Sequence, residues 1–365
     1  MSKRSFVERW FPLPKALFPA AVGVDISDSL IRWLALEEKQ DGVRVRCWGE
    51  KKLEAGIVSQ GIVQNPGKLG QALKEIRAQW GGITCAHMSL PEEAGYVFGM
   101  RVPDVPERDQ VMNVIGFELE ARVPIPPSAA VFDFDATHNR TEEGVEVGVV
   151  VFSREIVDAY VAAFSAAGIL LLSSEIEARS IARAVSARKK SETVELLVDF
   201  GRNRTGFAII KDGVPIFTST VAIGGEAIVH AVMESLSMTE EQAGTFCDEQ
   251  GLAALGTESA AGVAAISETA GALAEEVVRH YHYWDTRRNE RGDRVTPVER
   301  VLLVGGGANI RGLDEFLAGQ VQALVTMPDV WSAVCRFDEY IPPINRRSSL
   351  QYATAVGLAL RGVSQ

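Results

Sequence analysis

The sequence predicts an α/β protein with a duplicated two-domain fold and a small inserted α+β subdomain, and three observations support this prediction. The chain has 365 residues, which exceeds what one hydrophobic core usually accommodates. A pattern of strand, aspartate, polar turn and strand occurs once in each half of the chain. A proline-rich segment of different character interrupts the elements of the first half.

The composition excludes several classes of protein. The net charge of −11 argues against broad nucleic-acid binding, which needs a concentrated basic surface, so no nucleic-acid partner is expected. No apolar run approaches the roughly 20 residues that span a bilayer. The cysteines lie far apart with no C-x-x-C pair, which predicts neither a zinc site nor a disulfide framework. They are Cys47, Cys85, Cys247 and Cys335. This usage suits a reducing compartment, so the chain is expected in the cytoplasm.

Residues 1–20 are expected to form an N-terminal tail. The tail interleaves basic residues with Phe6, Trp10, Phe11 and Phe18. Such a segment can lie on an anionic membrane surface or on a partner protein. The alternative is a tail without fixed structure, or one folded against its own domain.

The first main subdomain is predicted to comprise residues 21–90 with 168–190. Residues 21–36 have the pattern of a hairpin, and a third strand begins at Val43. Residues 65–80 have one apolar helical face, and "ITCAHMSL" predicts the next strand.

The proline-rich segment 91–167 predicts the inserted subdomain. Its pattern indicates a strand, a helix over about 108–121, two strands around a polar turn at 141–144, and a helix over about 154–167. Strand, helix, two strands and helix are enough for a small α+β unit.

The second main subdomain is predicted to comprise residues 191–235 with 300–365. It begins with a second hairpin and ends with a strand, a glycine turn and a helix in "RVLLVGGGANIRGLDEFLAGQV". Between these parts, residues 236–299 are expected to form a helical subdomain. A capping box is predicted at Thr239 to Gln242, at the start of the second helix of the mostly helical stretch 225–285.

The internal repeat is the most informative feature. "VGVDISDSLIRWLAL" at 22–36 and "LLVDFGRNRTGFAII" at 196–210 have the same layout, and Asp25 and Asp199 occupy equivalent places. A duplicated fold would bring one such hairpin from each half face to face. Two facing turns beside a glycine-rich turn make a cleft that suits a nucleotide.

The second turn, "DFGRNRTG", has the residue types that phosphates need. Gly201 permits close approach, the Thr205 hydroxyl offers a hydrogen bond, and Arg202 and Arg204 supply positive charge. Asp25 and Asp199 are the predicted Mg²⁺ ligands, acting through water. "VGGGANIRG" would let an adenine or ribose rest on bare backbone at 305–307.

The paired turns and "LLVGGGANIRGL" resemble the phosphate and adenosine motifs of the superfamily that contains actin, heat-shock chaperones and sugar kinases. Within it the chain resembles the PilM family of type IV pilus assembly, related to the FtsA cell-division proteins, from about residue 21 onward. "FELEARVPIPPSAAVFDFD", "VAIGGEAIVHAVMESLSMTEEQAG" and the closing "QYATAVGLALRG" also resemble segments of that family.

The resemblance implies an actin-like, ribonuclease H-like fold of four subdomains around a cleft for ATP and Mg²⁺. The residues expected at the nucleotide are Asp25, Ser27, Asp28, Ser29, Arg32, Asp199, Gly201, Arg202, Asn203, Arg204, Thr205, Gly225, Glu226, Gly305, Gly306, Gly307 and Asn309.

The resemblance also implies partners. The expected partner is the N-terminal cytoplasmic peptide of a PilN-like inner-membrane protein, bound between the first and the inserted subdomains. The chain would then be peripheral at the inner membrane through this partner. Other pilus platform or motor proteins, and self-association, are further expectations.

The first turn departs from the family pattern. The family typically has Asp-Ile-Gly-Ser-Ser, whereas this chain places Ser27 at the glycine and Asp28 at a phosphate-facing serine. A carboxylate about 4 Å from a phosphate charge costs about 4 kcal/mol at an effective dielectric of about 20, which is roughly a thousandfold in affinity. Alternatively, Asp28 turns away from the cleft and bonds its own backbone, as aspartate commonly does in turns. Weak or absent nucleotide binding is therefore one expected outcome.

Three functions remain open at this level. The first is an actin-like pilus-assembly scaffold with at most weak ATPase activity, for which Glu177 is the candidate that could polarise a water. The second is a small-molecule kinase of the same superfamily, which would need a positioned base beside a polar pocket. The third is a role in cell division like that of FtsA, for which a C-terminal amphipathic membrane helix would be expected.

Overall fold

The computed structural model describes residues 19–40, 42–105, 107–142, 144–186, 193–253, 256, 259–288 and 294–363. Most of the predicted tail, residues 1–18, lies outside the described residues, and so do residues 289–293 of the predicted helical subdomain. The description below concerns the described part of the chain.

Both halves contain strands and helices, with the strands often in consecutive runs. The strands are β1 Ala21–Ile26, β2 Leu30–Lys39, β3 Gly42–Lys52, β4 Val58–Ser59, β5 Ile62–Val63, β6 Cys85–Leu90, β7 Gly95–Val102, β8 Ala130–Thr141, β9 Gly144–Ser153, β10 Leu170–Ile176, β11 Val194–Phe200, β12 Thr205–Lys211, β13 Val214–Val221, β14 Arg300–Val304 and β15 Leu324–Thr326. The α-helices are α1 Pro66–Arg77, α2 Arg108–Arg122, α3 Arg154–Ala166, α4 Glu177–Val185, α5 Gly225–Leu236, α6 Glu240–Glu249, α7 Ala260–Asp285, α8 Leu313–Ala318, α9 Arg346–Ser349 and α10 Ala353–Ala359.

The two sheets repeat one strand order, which confirms the predicted duplication. The first sheet has the order β10-β6-β1-β2-β3, and the second begins β15-β14-β11-β12-β13. In the first sheet, β1 pairs antiparallel with β2 and parallel with β6. In the second, β11 pairs antiparallel with β12 and parallel with β14. Asp25 and Asp199 therefore occupy equivalent positions on equivalent strands.

Two helices pack in the core between the sheets. Helix α4 buries Ala178, Ile181 and Ala182, and every residue of α10 is buried. One hydrophobic cluster contains both helices, Leu34 of β2 in the first sheet and Val198 of β11 in the second. The two halves are therefore joined by a continuous core beneath the cleft.

The elements of the proline-rich segment appear in the predicted order, but their attachment was not foreseen. Strands β7, β9 and β8 extend the second sheet to eight strands, joined to it where Phe98 pairs with Phe217. This three-stranded part has its own core, with Val102, Ile115 and Val147 buried. Helix α3 instead packs on α1 of the first half, where a Cβ on Gly70 would lie 3.2 Å from the Ala163 carbonyl oxygen.

Two other local sequence patterns, the apolar helical face at 65–80 and the capping box at Thr239, form the structures that they predict. Helix α1 begins at Asn65, whose side chain accepts a hydrogen bond from Lys68 N, and it buries Leu69, Leu73 and Ile76. The capping box at Thr239 is present at the start of α6. Within the described residues, no helix combines the length and apolarity needed to cross a bilayer.

Candidate functional site

A cavity of about 360 Å³ lies where the two hairpins and the glycine turn meet. One end, here the hairpin end, is lined by residues 27–29 and 201–204, and the other, the glycine end, by 225–226 and 305–307. Of the expected residues, those that line it are Asp25, Ser27, Asp28, Ser29, Arg32, Asp199, Gly201, Arg202, Asn203, Arg204, Gly225, Glu226, Gly305, Gly306 and Gly307. Glu177 lines it as well.

Thr205 and Asn309 do not line this cleft, which corrects the expectation for both. Thr205 is fully buried and its hydroxyl donates to the Ile223 carbonyl at 2.6 Å. Because neighbouring strand residues point to opposite faces, Gly206 faces the cleft and Thr205 faces away. Asn309 lines a separate shallow pocket beside Arg311 and Arg347.

Asp25 and Asp199 lie in the same cleft, as the repeat predicts. Asp25 Oδ1 accepts a hydrogen bond from the Ser89 hydroxyl at 2.9 Å. Burial raises the pKa of Asp25, and burial and then the charge of Asp25 raise the pKa of Asp199 to about 6. In the described part of the chain no group of three or more acidic, histidine or cysteine side chains could hold a metal ion. Asp25 and Asp199 as Mg²⁺ ligands therefore stay a prediction.

Ser27 closes its own turn. Its hydroxyl donates to the Leu30 carbonyl at 3.1 Å and accepts from the Leu30 N–H at 3.2 Å. Its φ is not positive, so the serine that replaces the expected glycine causes no backbone strain. Its hydroxyl is directed to the turn and not to a bound group.

Asp28 still lines the cleft, but its carboxylate bonds to a neighbouring loop and not, as the alternative expected, to the backbone of its own turn. Its carboxylate accepts from the backbone N–H groups of Gln60 at 3.0 Å and Gly61 at 3.1 Å. Both of those residues have positive φ, +50° and +70°, which aims two successive N–H groups at one anion. Asp28 also forms an ion pair with Arg204, with 3.3 Å between Oδ2 and Nη1.

Two glutamates at this site were missed by sequence reasoning. Glu92 and Glu93 follow β6, and because β6 runs parallel to β1 its carboxyl end meets the same edge as Asp25. The "PEE" after a buried strand is the signal that could have found them. Glu93 Oε1 lies 2.6 Å from Arg204 Nη1.

Glu92 holds the start of helix α4. It is 7% exposed, and its Oε1 accepts from the Ala178 N–H at 2.9 Å. Burial and then the charge of Asp199 raise the pKa of Glu92 to about 8. A Cβ on Gly206 would lie 2.7 Å from Glu92 Oε2, so a glycine there lets this carboxyl enter the cleft.

Glu177, the candidate for polarising a water, is the first residue of α4. Burial, and after it the charge of Asp25, raise the pKa of Glu177 well above the usual range. A carboxyl with a raised pKa suits general acid–base work. A catalytic role for Glu177 stays a prediction.

The arginines of the two hairpins already have partners. Arg202 donates to Glu226 at 2.6 Å and to Glu240 at 3.0 Å, at the starts of α5 and α6. Arg32 donates to the Gln351 side chain at 3.1 Å and lies 3.4 Å from Glu50.

The glycine end consists largely of bare backbone. Gly305 has φ +88°, and a Cβ there would lie 2.5 Å from Asp199 Oδ1. A Cβ on Gly307 would lie 2.5 Å from the Phe200 ring, and one on Gly225 would lie 3.5 Å from Gly307 Cα. The neighbouring atoms thus leave no room for a side chain at Gly305 or Gly307, and whether an adenine or ribose rests on this backbone stays a prediction.

The hairpin end does not fit a polyphosphate as it is arranged. Its carboxylates come from both halves, and they are Asp25, Asp28, Glu92, Glu93, Glu177 and Asp199. One cation of this end, Arg204, is already shared between Asp28 and Glu93. A phosphate group would meet like charges and would have to displace carboxylates from the arginine.

Known proteins resemble this chain over nearly its whole length. Residues 23–363 match the family described as "Type IV pilus assembly protein PilM". Among solved structures, a chain of a "PilM-PilN type IV pilus biogenesis complex" matches with a TM-score of 0.76 and 20% identity, covering 95% of this chain and all of that one.

Two further structures share the fold at lower similarity. The ethanolamine utilization protein EutJ from Carboxydothermus hydrogenoformans matches with a TM-score of 0.54 and 17% identity, over 96% of this chain and 91% of that one. MreB5 of Spiroplasma citri bound to ADP matches with a TM-score of 0.53 and 10% identity, over 94% and 95%. The fold is thus the two-domain actin-like fold, and by the family match this chain belongs to the PilM family of type IV pilus assembly proteins.

Proposed function

We propose that this chain is an actin-like scaffold of type IV pilus assembly, or of a related pilus-like machine, and that it binds the N-terminal cytoplasmic tail of a PilN-like inner-membrane protein. The observation that carries the proposal is the family match over residues 23–363. The similar structure described as a PilM–PilN complex supports the choice of partner. The chain would act in the cytoplasm, held at the inner membrane by this partner, with platform or motor proteins and further copies as additional contacts.

Exposed apolar side chains beside α3 support a peptide groove between the first and inserted subdomains. Val161 of α3 is 42% exposed, Ile62 of β5 is 44% exposed and Tyr96 of β7 is 41% exposed. Helix α3 contacts β5, and the Tyr160 hydroxyl donates to the Gly61 carbonyl at 3.0 Å. An amphipathic or extended peptide tail could bury these side chains.

A binding experiment with one matched pair of variants tests this proposal. The synthetic N-terminal peptide of the PilN-like protein from the same organism is titrated into the full chain. We expect specific binding by the wild type, a loss of at least tenfold in Val161→Asp, and wild-type affinity in Ala162→Asp, which adds the same charge at the next exposed position of α3. Absence of binding by a folded wild type would refute the proposed partner.

We further propose that ATP and Mg²⁺ bind weakly or not at all. The acidic hairpin end and the engaged Arg204 support weak binding, and the bare backbone at 305–307 supports a residual base site. Calorimetry with Mg-ATP on the wild type and on Asp28→Ser tests this proposal. Tight binding by the wild type would contradict it, and binding gained only on substitution would support it.

The same preparation separates this scaffold from a small-molecule kinase. Incubation with Mg-ATP and a panel of sugars is expected to give no phosphoryl transfer, because the carboxylates of the hairpin end disfavour the bound polyphosphate that a kinase needs. Transfer to any sugar of the panel would favour the kinase.

A further inference from the structure

We infer that Arg204 closes the cleft in place of a nucleotide, by bridging Asp28 and Glu93 across the two halves of the fold. We call these three side chains the Arg204 bridge. Arg204 lies in the turn between β11 and β12 of the second half, whereas Asp28 and Glu93 follow β1 and β6 of the first half. The inference concerns the free chain and does not depend on the partner proposed above.

The contacts of the bridge are short and partly shielded from solvent. Arg204 Nη1 lies 2.6 Å from Glu93 Oε1 and 3.3 Å from Asp28 Oδ2. The side chains of Arg204, Glu93 and Asp28 are 21%, 13% and 25% exposed. Ion pairs in such surroundings are screened less by water and salt than pairs on the surface.

The acceptor side of the bridge is also held by contacts within the first half of the fold. The Gln60 and Gly61 N–H groups fix the Asp28 carboxylate from behind. A Cβ on Gly61 would lie 2.5 Å from Pro91 Cγ and 2.7 Å from Glu93 Oε1, so only glycine brings this loop against Glu93. The Tyr160 hydroxyl holds the Gly61 carbonyl at 3.0 Å. Both carboxylates are thus positioned to share one cation from the opposite hairpin.

A second arginine makes a similar link from the other hairpin. Arg32 of β2 donates to Gln351 at 3.1 Å. Gln351 belongs to the same glycine end, because a Cβ on Gly306 would lie 3.8 Å from its Oε1. Each hairpin therefore sends one arginine to a group outside its own sheet.

The charge arrangement explains why the bridge matters for closure. The charge of Arg204 lowers the pKa of each of the five carboxyl groups Asp25, Glu92, Glu93, Glu177 and Asp199, and Arg32 adds to this effect at Asp25 and Asp199. Without Arg204, those of these groups that are ionised would face one another across the cleft with less compensating charge, which disfavours the closed arrangement. In this chain Arg204 compensates part of the negative charge of the cleft, whereas a bound polyphosphate would add negative charge to it.

The experiment measures backbone hydrogen exchange of the full chain, without nucleotide, in the loop 57–64 and the turn 200–205. We expect Arg204→Gln to raise exchange there at least tenfold, and Glu93→Gln to raise it severalfold. The matched control is Arg202→Gln, which removes an arginine of the same turn whose partners, Glu226 and Glu240, lie in its own half. The control is expected to leave the loop 57–64 at wild-type exchange.

The double variant Glu93→Gln with Arg204→Gln decides whether the residues act as one unit. If they form a bridge, the double variant exchanges no faster than Arg204→Gln alone, because the interaction is already lost. If the rate increases of the two single variants multiply in the double variant, the inference is overturned. It is also overturned if Arg204→Gln exchanges at the wild-type rate. Strong protection of both segments by millimolar Mg-ATP in the wild type would also overturn it, because closure would then depend on nucleotide. If Arg204→Gln does not fold, Glu93→Gln against Arg202→Gln gives the same comparison.

Discussion

Gly357 of α10 lies directly on the backbone of Ser180 of α4, where a Cβ would be 1.8 Å from the Ser180 carbonyl oxygen. Arg183, one turn further along α4, donates to the Gly357 carbonyl at 2.9 Å. These two helices occupy the core between the sheets. The absence of a side chain at Gly357 therefore sets how closely the helices that join the two halves can approach.

Gly357→Ala is expected to destabilise the chain. The methyl group has no space, so the helices must separate, which costs about 3 kcal/mol of unfolding free energy or more. The measurement is urea unfolding, with Gly271→Ala as the control. Gly271 lies within α7 with nothing within 4 Å of its would-be Cβ, so alanine there should be neutral or stabilising by up to about 1 kcal/mol. Similar effects of both substitutions would show that the helix contact does not limit packing.

A second glycine tests the geometry of the cleft. Gly305 has φ +88° and its would-be Cβ lies 2.5 Å from Asp199 Oδ1 and from the Phe200 carbonyl oxygen. Gly213 has a similar φ of +79° with open space around it. Gly213→Ala should therefore cost about 1 kcal/mol through strain alone, and Gly305→Ala at least about 2 kcal/mol more through the clash. Thermal unfolding of both variants measures the difference, and equal losses would mean that Asp199 can move aside.

The parts of the fold that the sequence predicts are those marked by a local residue pattern. Both hairpins were visible because an apolar run breaks at an aspartate and a polar turn, and the Asp212-Gly213 turn has the positive φ values that such short turns need. The strand order then follows from duplication. The joining of β7 to β13 at Phe98 and Phe217 was not predictable, because neither strand carries a mark of its neighbour.

The residues of the candidate site also fall into those that the sequence predicts correctly and those that it does not. Asp25 and Asp199 were found because the repeat places them at equivalent strand ends. Arg204 was expected to face a phosphate because the composition of its turn is basic, and its actual partners come from loops distant in the sequence. The orientation of Thr205 was missed because a turn motif does not state where the alternation of β12 begins.

The capping box of α6 gives a local prediction. Thr239 accepts from the Gln242 N–H, and the Gln242 side chain accepts from the Thr239 N–H at 3.0 Å. Thr239→Ala should cost about 1 kcal/mol in unfolding free energy. The matched control is Ser259→Ala at the start of α7, where the serine side chain makes no capping hydrogen bond, and little change is expected. A loss at Ser259 as large as that at Thr239 would argue against the capping assignment.

Glu92 makes the stability of the folded chain depend on pH. The surroundings of its carboxyl decide whether stability rises or falls with pH. Its pKa is raised from 4.5 to about 8 by burial and then by the charge of Asp199. The folded chain therefore binds the Glu92 proton more tightly than the unfolded chain. The resulting stability is fully present below about pH 4.5 and is lost as the pH rises toward 8.

Glu92→Gln should reduce this loss, because glutamine keeps an oxygen for the Ala178 N–H and cannot ionise. Between pH 5 and pH 8 the variant should lose less unfolding free energy than the wild type, by on the order of 2 kcal/mol. Asp199, whose pKa is raised to about 6, contributes a pH dependence of the same sign. The unfolding free energy of Glu92→Gln should therefore still fall as the pH rises, but less steeply than that of the wild type. Urea unfolding across this range measures the effect, with Glu118→Gln on the exposed side of α2 as the control that removes the same charge. Parallel curves for the wild type and Glu92→Gln would mean that Glu92 is not protonated in the folded cleft.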